Sequence, residues 1–151
     1  KYIILDEVYS NPLIIDKKML NIDNVIVVKS FSKIGGVPGL RLGYCVSKNK
    51  EIIKKLFVIK PLYEINGTAV NYLDFILKNS QILVDNQEEL LYTYLILKDI
   101  NGGFSKQVGN FAVFENTGKL KGKQYNIDDK SFIRVTLTDR NNYRNLLIWK
   151  L

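Results

Sequence analysis

The sequence predicts an α/β protein, because two short apolar runs with the character of buried strands are followed by helical patterns. Residues 2–5 (YIIL) and 24–28 (NVIVV) are almost entirely apolar, and such runs are typical of strands in parallel sheets. A polar motif follows each run, DEVY after the first and KSFSK after the second. Ligands of open α/β sheets bind outside the carboxyl ends of the strands, so both motifs are candidate parts of a site.

Periodicity and chain breakers predict the elements beyond the second strand. Apolar residues at intervals of three and four indicate three helices, of which Pro61 ends the first and residues 101–103 (NGG) end the third. A third strand is predicted over residues 42–46, and the three helices follow over 49–58, 68–78 and 82–99. Two further strands are predicted over 110–114 and 132–137, and a last helix, capped by Thr138 and Asp139, over 138–147. The closing order of helix, strand, strand and helix suits a small α+β domain.

The composition excludes several kinds of active site. The 151 residues include no histidine and one cysteine, Cys45, which excludes a Ser-His-Asp triad, a histidine-ligated zinc and a multi-cysteine metal site. No metal is therefore expected, and acid–base chemistry has to use Lys, Asp, Glu, Tyr or a cofactor. The net charge of +7 comes from scattered lysines and not from one basic stripe, so we do not expect nucleic-acid binding.

The start of the chain and its hydropathy predict the setting of the protein. The chain begins at Lys1 in an apolar segment, which indicates a strand already in progress and a piece of a larger protein. No apolar run reaches the roughly 18–20 residues that a helix needs to cross a bilayer, so we expect no membrane association. The lone thiol favours a reducing, cytoplasmic setting.

Five residues at the two strand ends combine into one predicted site. Asp6 and Tyr9 lie three residues apart and can face one crevice, and Ser30, Lys33 and Arg41 follow the second strand in a segment with four glycines. A serine hydroxyl, loop amides and a guanidinium together make a phosphate cradle. The structural alternative is a glycine-rich turn between two strands, which leaves the arginine in an apolar context unexplained.

These residues carry a family resemblance. The motif DEVY followed by SFSKIGGVPGLRLGY resembles the pyridoxal-phosphate signature of the class I/II aminotransferases, and it is most similar to the histidinol-phosphate aminotransferase-like group. The resemblance implies fold type I. Residues 1–80 would be the C-terminal part of the large, parallel-sheet cofactor domain, and residues 81–151 a shortened, small α+β C-terminal domain.

The resemblance also implies a role for each residue. Lys33 would form the internal Schiff base, an aldimine with the cofactor aldehyde, and then act as the general base. Asp6 would pair with the pyridine nitrogen of pyridoxal 5'-phosphate, and Tyr9 would hydrogen-bond the phenolate oxygen. The phosphate would be bound by Ser30, Ser32 and Arg41.

Two downstream segments resemble the same family. GNFAVFE (residues 109–115) is similar to a strand of the family's small domain, and SFIRVTLTDRNNYRNLL is similar to its C-terminal strand and closing helix. This similarity implies that Arg134 binds the α-carboxylate of the substrate in a bidentate manner. The alternative interpretation of Arg134 is a surface arginine on an edge strand.

The resemblance implies an enzyme and leaves other functions open. A homodimeric transaminase would move an amino group between an amino acid or amino-alcohol phosphate and a 2-oxo acid. Pro38 departs from the family's commoner alanine and is similar to the threonine-phosphate decarboxylases, so such a decarboxylase is the alternative. Residues 115–131 are shorter than in the family, and the family's first half is absent. A fragment that is inactive by itself and a basic binding domain without cofactor are the non-catalytic hypotheses.

Overall fold

The structure is a computed structural model that describes residues 1–62 and 64–137. The chain divides into two compact units, one over Lys1–Leu83 and a second that begins at Val84. Their assignment to a cofactor domain over 1–80 and a small domain over 81–151 stays a prediction.

A three-stranded sheet forms the centre of the first unit. The strands are β1 (Ile3–Asp6), β2 (Val25–Ser30) and β3 (Gly43–Val46), in the spatial order β1-β2-β3. β1 is parallel to β2, and β3 is antiparallel to it. All three strands are predicted by the sequence within two residues. The sheet is therefore mixed, although the sequence predicted only its parallel part.

Alternation along β2 separates the two faces of this sheet. Val25, Val27 and Lys29 are buried, while the residues between them are half-buried. Residues in register on parallel strands point to the same face, so Asp6, which pairs with Val28, shares a face with Ser30. One face thus carries the predicted cofactor residues, and the other carries a buried lysine.

Among residues 1–62 and 64–137 the α-helices are α1 (Lys50–Ile59), α2 (Gly67–Lys78) and α3 (Gln81–Asn101), and two 3₁₀ turns cover Met19–Asn21 and Pro38–Leu40. Asn49 caps α1 by accepting hydrogen bonds from the backbone amides of Glu51 and Ile52, which explains where the helix begins. In the first unit Phe31, Leu42, Ala69, Ile76 and Leu83 form one apolar core. Within the described ranges, no helix combines the length and the apolar character that crossing a membrane requires.

The second unit packs α3 against a four-stranded antiparallel sheet. Its strands are β4 (Ser105–Val108), β5 (Phe111–Glu115), β6 (Lys123–Ile127) and β7 (Lys130–Thr136), in the spatial order β4-β5-β7-β6. Leu97 of α3 is fully buried with side chains of the sheet, among them Ala112, Phe114, Ile133 and Val135. Alternation of buried and exposed residues along β5 and β7 produces this core.

Two expectations about the strands are wrong. The sequence predicted two strands in this sheet, and β4 and β6 were missed because neither has a run of apolar residues. β1 was predicted to be buried on both faces, but Tyr2, Ile3 and Ile4 are exposed, since among the described strands β1 pairs only with β2. The predicted final helix over 138–147 lies outside the described residues.

Candidate functional site

The predicted site residues of the first unit gather at one edge of its sheet. Asp6 ends β1, and Ser30 ends the parallel strand β2 beside it. The chain then makes a loop and returns as β3, and the backbone N–H of Phe31 donates to the carbonyl of Leu42 at 3.0 Å. Ser30 and Arg41 therefore lie at the two ends of one loop, and Ser30 lies with Asp6 at the carboxyl ends of the two parallel strands.

The loop presents Lys33 because its neighbours are anchored in the core. Phe31 and Ile34 have 2% and 3% of their surface exposed, and Ser32 and Lys33 between them are half-buried. The Phe31 ring contacts the rings of Tyr44 and Tyr72, with centroids 6.3 and 6.2 Å apart. Two anchored apolar residues thus hold a short polar segment at the surface.

The first two glycines of the loop are required by its backbone path. A Cβ at Gly35 would collide with the carbonyl oxygen of Phe31, and Gly36 has a φ of +73°, a conformation that favours glycine. The Tyr72 hydroxyl donates to the carbonyl of Gly35 at 2.8 Å. Burial raises the pKa of Tyr72, so the phenol stays protonated and keeps this hydrogen bond at neutral pH. The turn after Lys33 is therefore tied to α2.

Lys33 and Tyr9 come together in space. The Lys33 Nζ lies 5.2 Å from the centroid of the Tyr9 ring, a cation–π distance. Asp6 Oδ1 accepts from the backbone N–H of Val8 at 3.1 Å, which fixes the turn that begins the DEVY segment. The Ser30 hydroxyl oxygen accepts from the N–H of Ser32 at 3.1 Å, so both serines start the same tight turn.

Arg41 is held in an unusual backbone conformation. Its φ of 54° is left-handed, which is uncommon for a residue with a side chain. The exposed guanidinium donates to the carbonyl of Pro38 at 3.4 Å. Arg41 also lines an apolar cavity of about 600 Å³ between β3 and α1, whose lining includes neither Ser30 nor Lys33. Of the predicted cofactor residues, only Arg41 therefore lines this cavity.

Arg134 lies on an inner strand of the second unit. β7 pairs with β5 on one side and β6 on the other, so Arg134 is not on an edge strand, although it is a surface residue as the alternative interpretation expected. Its side chain is exposed, and the guanidinium carbon lies 4.7 Å from the centroid of the Phe111 ring. Lys123 stands directly opposite Arg134 on β6, so the exposed face of this sheet carries two neighbouring cations.

A buried ionic cluster that the sequence did not predict lies on the opposite face of the first sheet. Lys29 has 2% of its surface exposed, and its Nζ lies 2.6 Å from Oε2 of Glu7. The phenol of Tyr44, in register with Lys29 on β3, donates to the carbonyl of Pro12. Burial, and secondly the charge of Glu7, raises the pKa of Tyr44. The available signal was the position of Lys29, which continues the buried alternation of Val25 and Val27.

The family of the chain follows from comparison with known proteins. The fold is that of the fold type I aminotransferases. A family model described as aminotransferase class I and II matches residues 2–92. Since this match covers more than half of the chain, the chain belongs to the class I and II aminotransferase family.

Individual relatives agree with this assignment. A histidinol-phosphate aminotransferase of Caldicellulosiruptor saccharolyticus is 30% identical over 101 residues, which are 62% of this chain and 27% of that protein. The solved histidinol-phosphate aminotransferase of Sinorhizobium meliloti, in complex with pyridoxal-5'-phosphate, has a TM-score of 0.76 at 16% identity and covers 95% of this chain and 46% of that one. The L-threonine-O-3-phosphate decarboxylase of Porphyromonas gingivalis has a TM-score of 0.64 at 21% identity, with coverages of 95% and 53%. The chain thus spans about half of these structures and about a quarter of the first relative.

Proposed function

We propose that the protein containing this chain is a pyridoxal-phosphate-dependent aminotransferase that uses Lys33 as its catalytic amine. The observation that carries the proposal is the contact of the Lys33 amine with the Tyr9 ring, at the sheet edge where Asp6 and Ser30 also lie. An amine, a phenol, a carboxylate and a hydroxyl are the groups that this cofactor's functional groups require. The family membership supports the same chemistry.

The residues of the loop fit the cofactor's charges. Hydrogen-bond donors for a phosphate lie at the two ends of one loop. They are the hydroxyls of Ser30 and Ser32 at one end and the guanidinium of Arg41 at the other. Asp6 offers a carboxylate to a protonated ring nitrogen, since its second oxygen is not needed for the bond to Val8. When bound, pyridoxal phosphate supplies an aldehyde that bonds to amines and a ring that withdraws electrons from a substrate α-carbon.

Each residue would have a defined role toward the bound cofactor. The amine of Lys33 would hold the cofactor through its aldehyde and would serve as the base for the proton on the substrate α-carbon. Asp6 would offer its carboxylate to the ring nitrogen, and the Tyr9 phenol would offer a hydrogen bond to the ring oxygen. The half-buried position of Lys33 shields its amine from bulk water while leaving it accessible to a ligand.

The substrates and the assembly are part of the proposal. We assign an amino acid or amino-alcohol phosphate as the amino donor and a 2-oxo acid as the acceptor, because relatives of this chain are named histidinol-phosphate aminotransferases. The exposed guanidinium of Arg134 is assigned to the substrate α-carboxylate. We further propose a homodimer in the cytoplasm for the whole protein.

A second candidate is a pyridoxal-phosphate-dependent decarboxylase. Pro38 begins the 3₁₀ turn beside Arg41, and its carbonyl accepts from that guanidinium. A proline at this place is the feature that resembles threonine-phosphate decarboxylases, and one such decarboxylase is among the structural neighbours. The same cofactor residues serve both reactions, which differ in the bond to the α-carbon that breaks.

A product assay separates the two reactions. The whole protein is incubated with pyridoxal phosphate, candidate amino donors and 2-oxoglutarate. We expect glutamate to form without release of carbon dioxide, since only amino transfer converts 2-oxoglutarate to glutamate. Release of carbon dioxide without glutamate would replace the aminotransferase with the decarboxylase.

Replacing Arg134 is expected to weaken binding of the amino donor. Arg134→Ala removes a charge-assisted contact to the α-carboxylate, and such contacts contribute about 1–3 kcal/mol. We therefore expect the KM of the amino donor to rise about 5- to 150-fold, with less change in kcat. Steady-state kinetics over a range of donor concentrations measures both constants.

Lys123→Ala is the matched control for Arg134→Ala. Lys123 is paired with Arg134 on the neighbouring strand β6 and carries the same charge. Its Nζ lies 5.4 Å from the centroid of the Tyr125 ring. If the general positive charge of this face attracted the substrate, both substitutions would raise KM alike. If the KM of Arg134→Ala equals that of the unchanged protein, Arg134 does not bind the substrate α-carboxylate.

A further inference from the structure

Lys29 is a buried cation that the proposed chemistry does not use. Its side chain is 1% exposed, on the face of the sheet opposite Asp6 and Ser30. A buried ammonium is costly unless acceptors surround it closely. The groups that Lys29 binds should therefore explain why a lysine is buried at this position.

In the part of the chain that the structure describes, the three hydrogen-bond acceptors of Lys29 come from one short segment. The Nζ contacts Oε2 of Glu7 at 2.6 Å, donates to the hydroxyl oxygen of Ser10 at 2.6 Å and donates to the carbonyl of Asn11 at 3.3 Å. An ammonium has three donors, so this segment satisfies all of them. The Ser10 hydroxyl in turn donates to the carbonyl of Glu7 at 2.9 Å, which closes the segment around the cation.

This segment contains Tyr9 and begins next to Asp6. Lys29 itself is followed directly by Ser30 and the loop that presents Lys33. The ionic cluster thus joins the two chain segments that supply the candidate cofactor residues. An ion pair that only stabilised the sheet could join any two facing residues of its strands. The contacts of Lys29 instead fix the conformation of a loop that has no regular secondary structure.

We propose that Lys29 is a positioning residue, which holds the Glu7–Asn11 segment so that the Tyr9 ring lies against the Lys33 amine. The meaning of this placement for catalysis rests on the proposed function. The placement itself needs no cofactor, since the Lys33 Nζ is 5.2 Å from the Tyr9 centroid in the chain alone.

The test measures the environment of the Lys33 amine in the whole protein without cofactor. Lysine amines are labelled by reductive ¹³C-methylation, and the Lys33 resonance is assigned by its loss in Lys33→Arg. An aromatic ring facing the amine shifts this resonance, and Tyr9→Leu defines its position without the ring. We expect Lys29→Met to move the resonance to the Tyr9→Leu position, and Lys29→Met combined with Tyr9→Leu to move it no further.

A double variant and a control variant distinguish the positioning role from a general loss of stability. Lys29→Met leaves the carboxylate of Glu7 without its partner, but this side chain is 32% exposed and can be solvated. The double variant, Lys29→Met with Glu7→Gln, removes both charges. The single and the double Lys29 variant are expected to shift the Lys33 resonance alike. Lys54→Met is the control, because Lys54 also pairs with a glutamate, Glu51 at 2.9 Å, but at an exposed site. In Lys54→Met the Lys33 resonance should stay in place.

Two results would overturn the positioning role. One is a Lys33 resonance that stays in place in both Lys29 variants, and the other is a pair of shifts that add in the combined Tyr9→Leu variant. Neither result depends on cofactor binding, whereas the proposed function is judged by the glutamate assay. A failure of one is therefore distinguishable from a failure of the other.

Discussion

Lys33→Ala is expected to abolish amino transfer while leaving the fold intact. The variant loses both the amine that bonds to the cofactor and the base that moves the substrate proton, and a positioned acid–base group alone contributes up to about 10⁴-fold in rate. We expect kcat to fall by at least about 10⁴-fold. Steady-state assays with the best amino donor measure the loss, and the visible absorption of the lysine-bound cofactor should disappear with it.

Lys48→Ala is the control for this substitution. Lys48 is an exposed lysine of the same unit, 3.4 Å from Asp23, and its loss removes the same charge from outside the site. It should retain full activity and the visible absorption band. If Lys33→Ala kept the band unchanged, Lys33 would not be the residue that carries the cofactor.

Asp6→Asn is expected to slow the proton transfer without releasing the cofactor. Asparagine keeps the size of the side chain and an oxygen that accepts from the Val8 N–H, but it has no negative charge to offer a protonated ring nitrogen. Removing one group that stabilises developing charge costs about 10²- to 10³-fold in kcat. We expect a loss of that size, with the visible band retained, measured by single-turnover kinetics with the amino donor.

Asp16→Asn is a close structural match for Asp6→Asn. Asp16 Oδ1 accepts from the backbone N–H of Lys18 at 2.9 Å, two residues on, in the same way that Asp6 accepts from Val8. An effect through the turn alone would appear in both variants. Equal rates for Asp6→Asn and Asp16→Asn would exclude Asp6 as the partner of the ring nitrogen.

The sequence predicts those elements whose information is local. β2 and β3 follow from apolar runs, and α1 begins at Asn49 because that side chain caps the first turn. The strand order then places Asp6 and Ser30 at one edge. The sequence predicted that Lys33 and Tyr9 belong to one site at the strand ends, but it did not predict the contact of the Lys33 amine with the Tyr9 ring.

Features that depend on distant partners could not be predicted. β6 is exposed along its whole length, so its pairing with β7 leaves no hydrophobic pattern in the sequence. Lys29 is buried because Glu7, Ser10 and Asn11 supply its acceptors from about twenty residues earlier, and no local pattern reveals that satisfaction. Whether β1 is covered likewise depends on which strands lie beside it.

Peptide mapping of the borohydride-reduced protein tests the central claim most directly. Reduction fixes the cofactor to the amine that holds it, and trypsin does not cleave after a modified lysine. We expect the cofactor mass on one peptide, residues 30–41, which remains uncut at Lys33. Cleavage at Lys33, with the cofactor on a different lysine or on none, would show that Lys33 does not carry the cofactor.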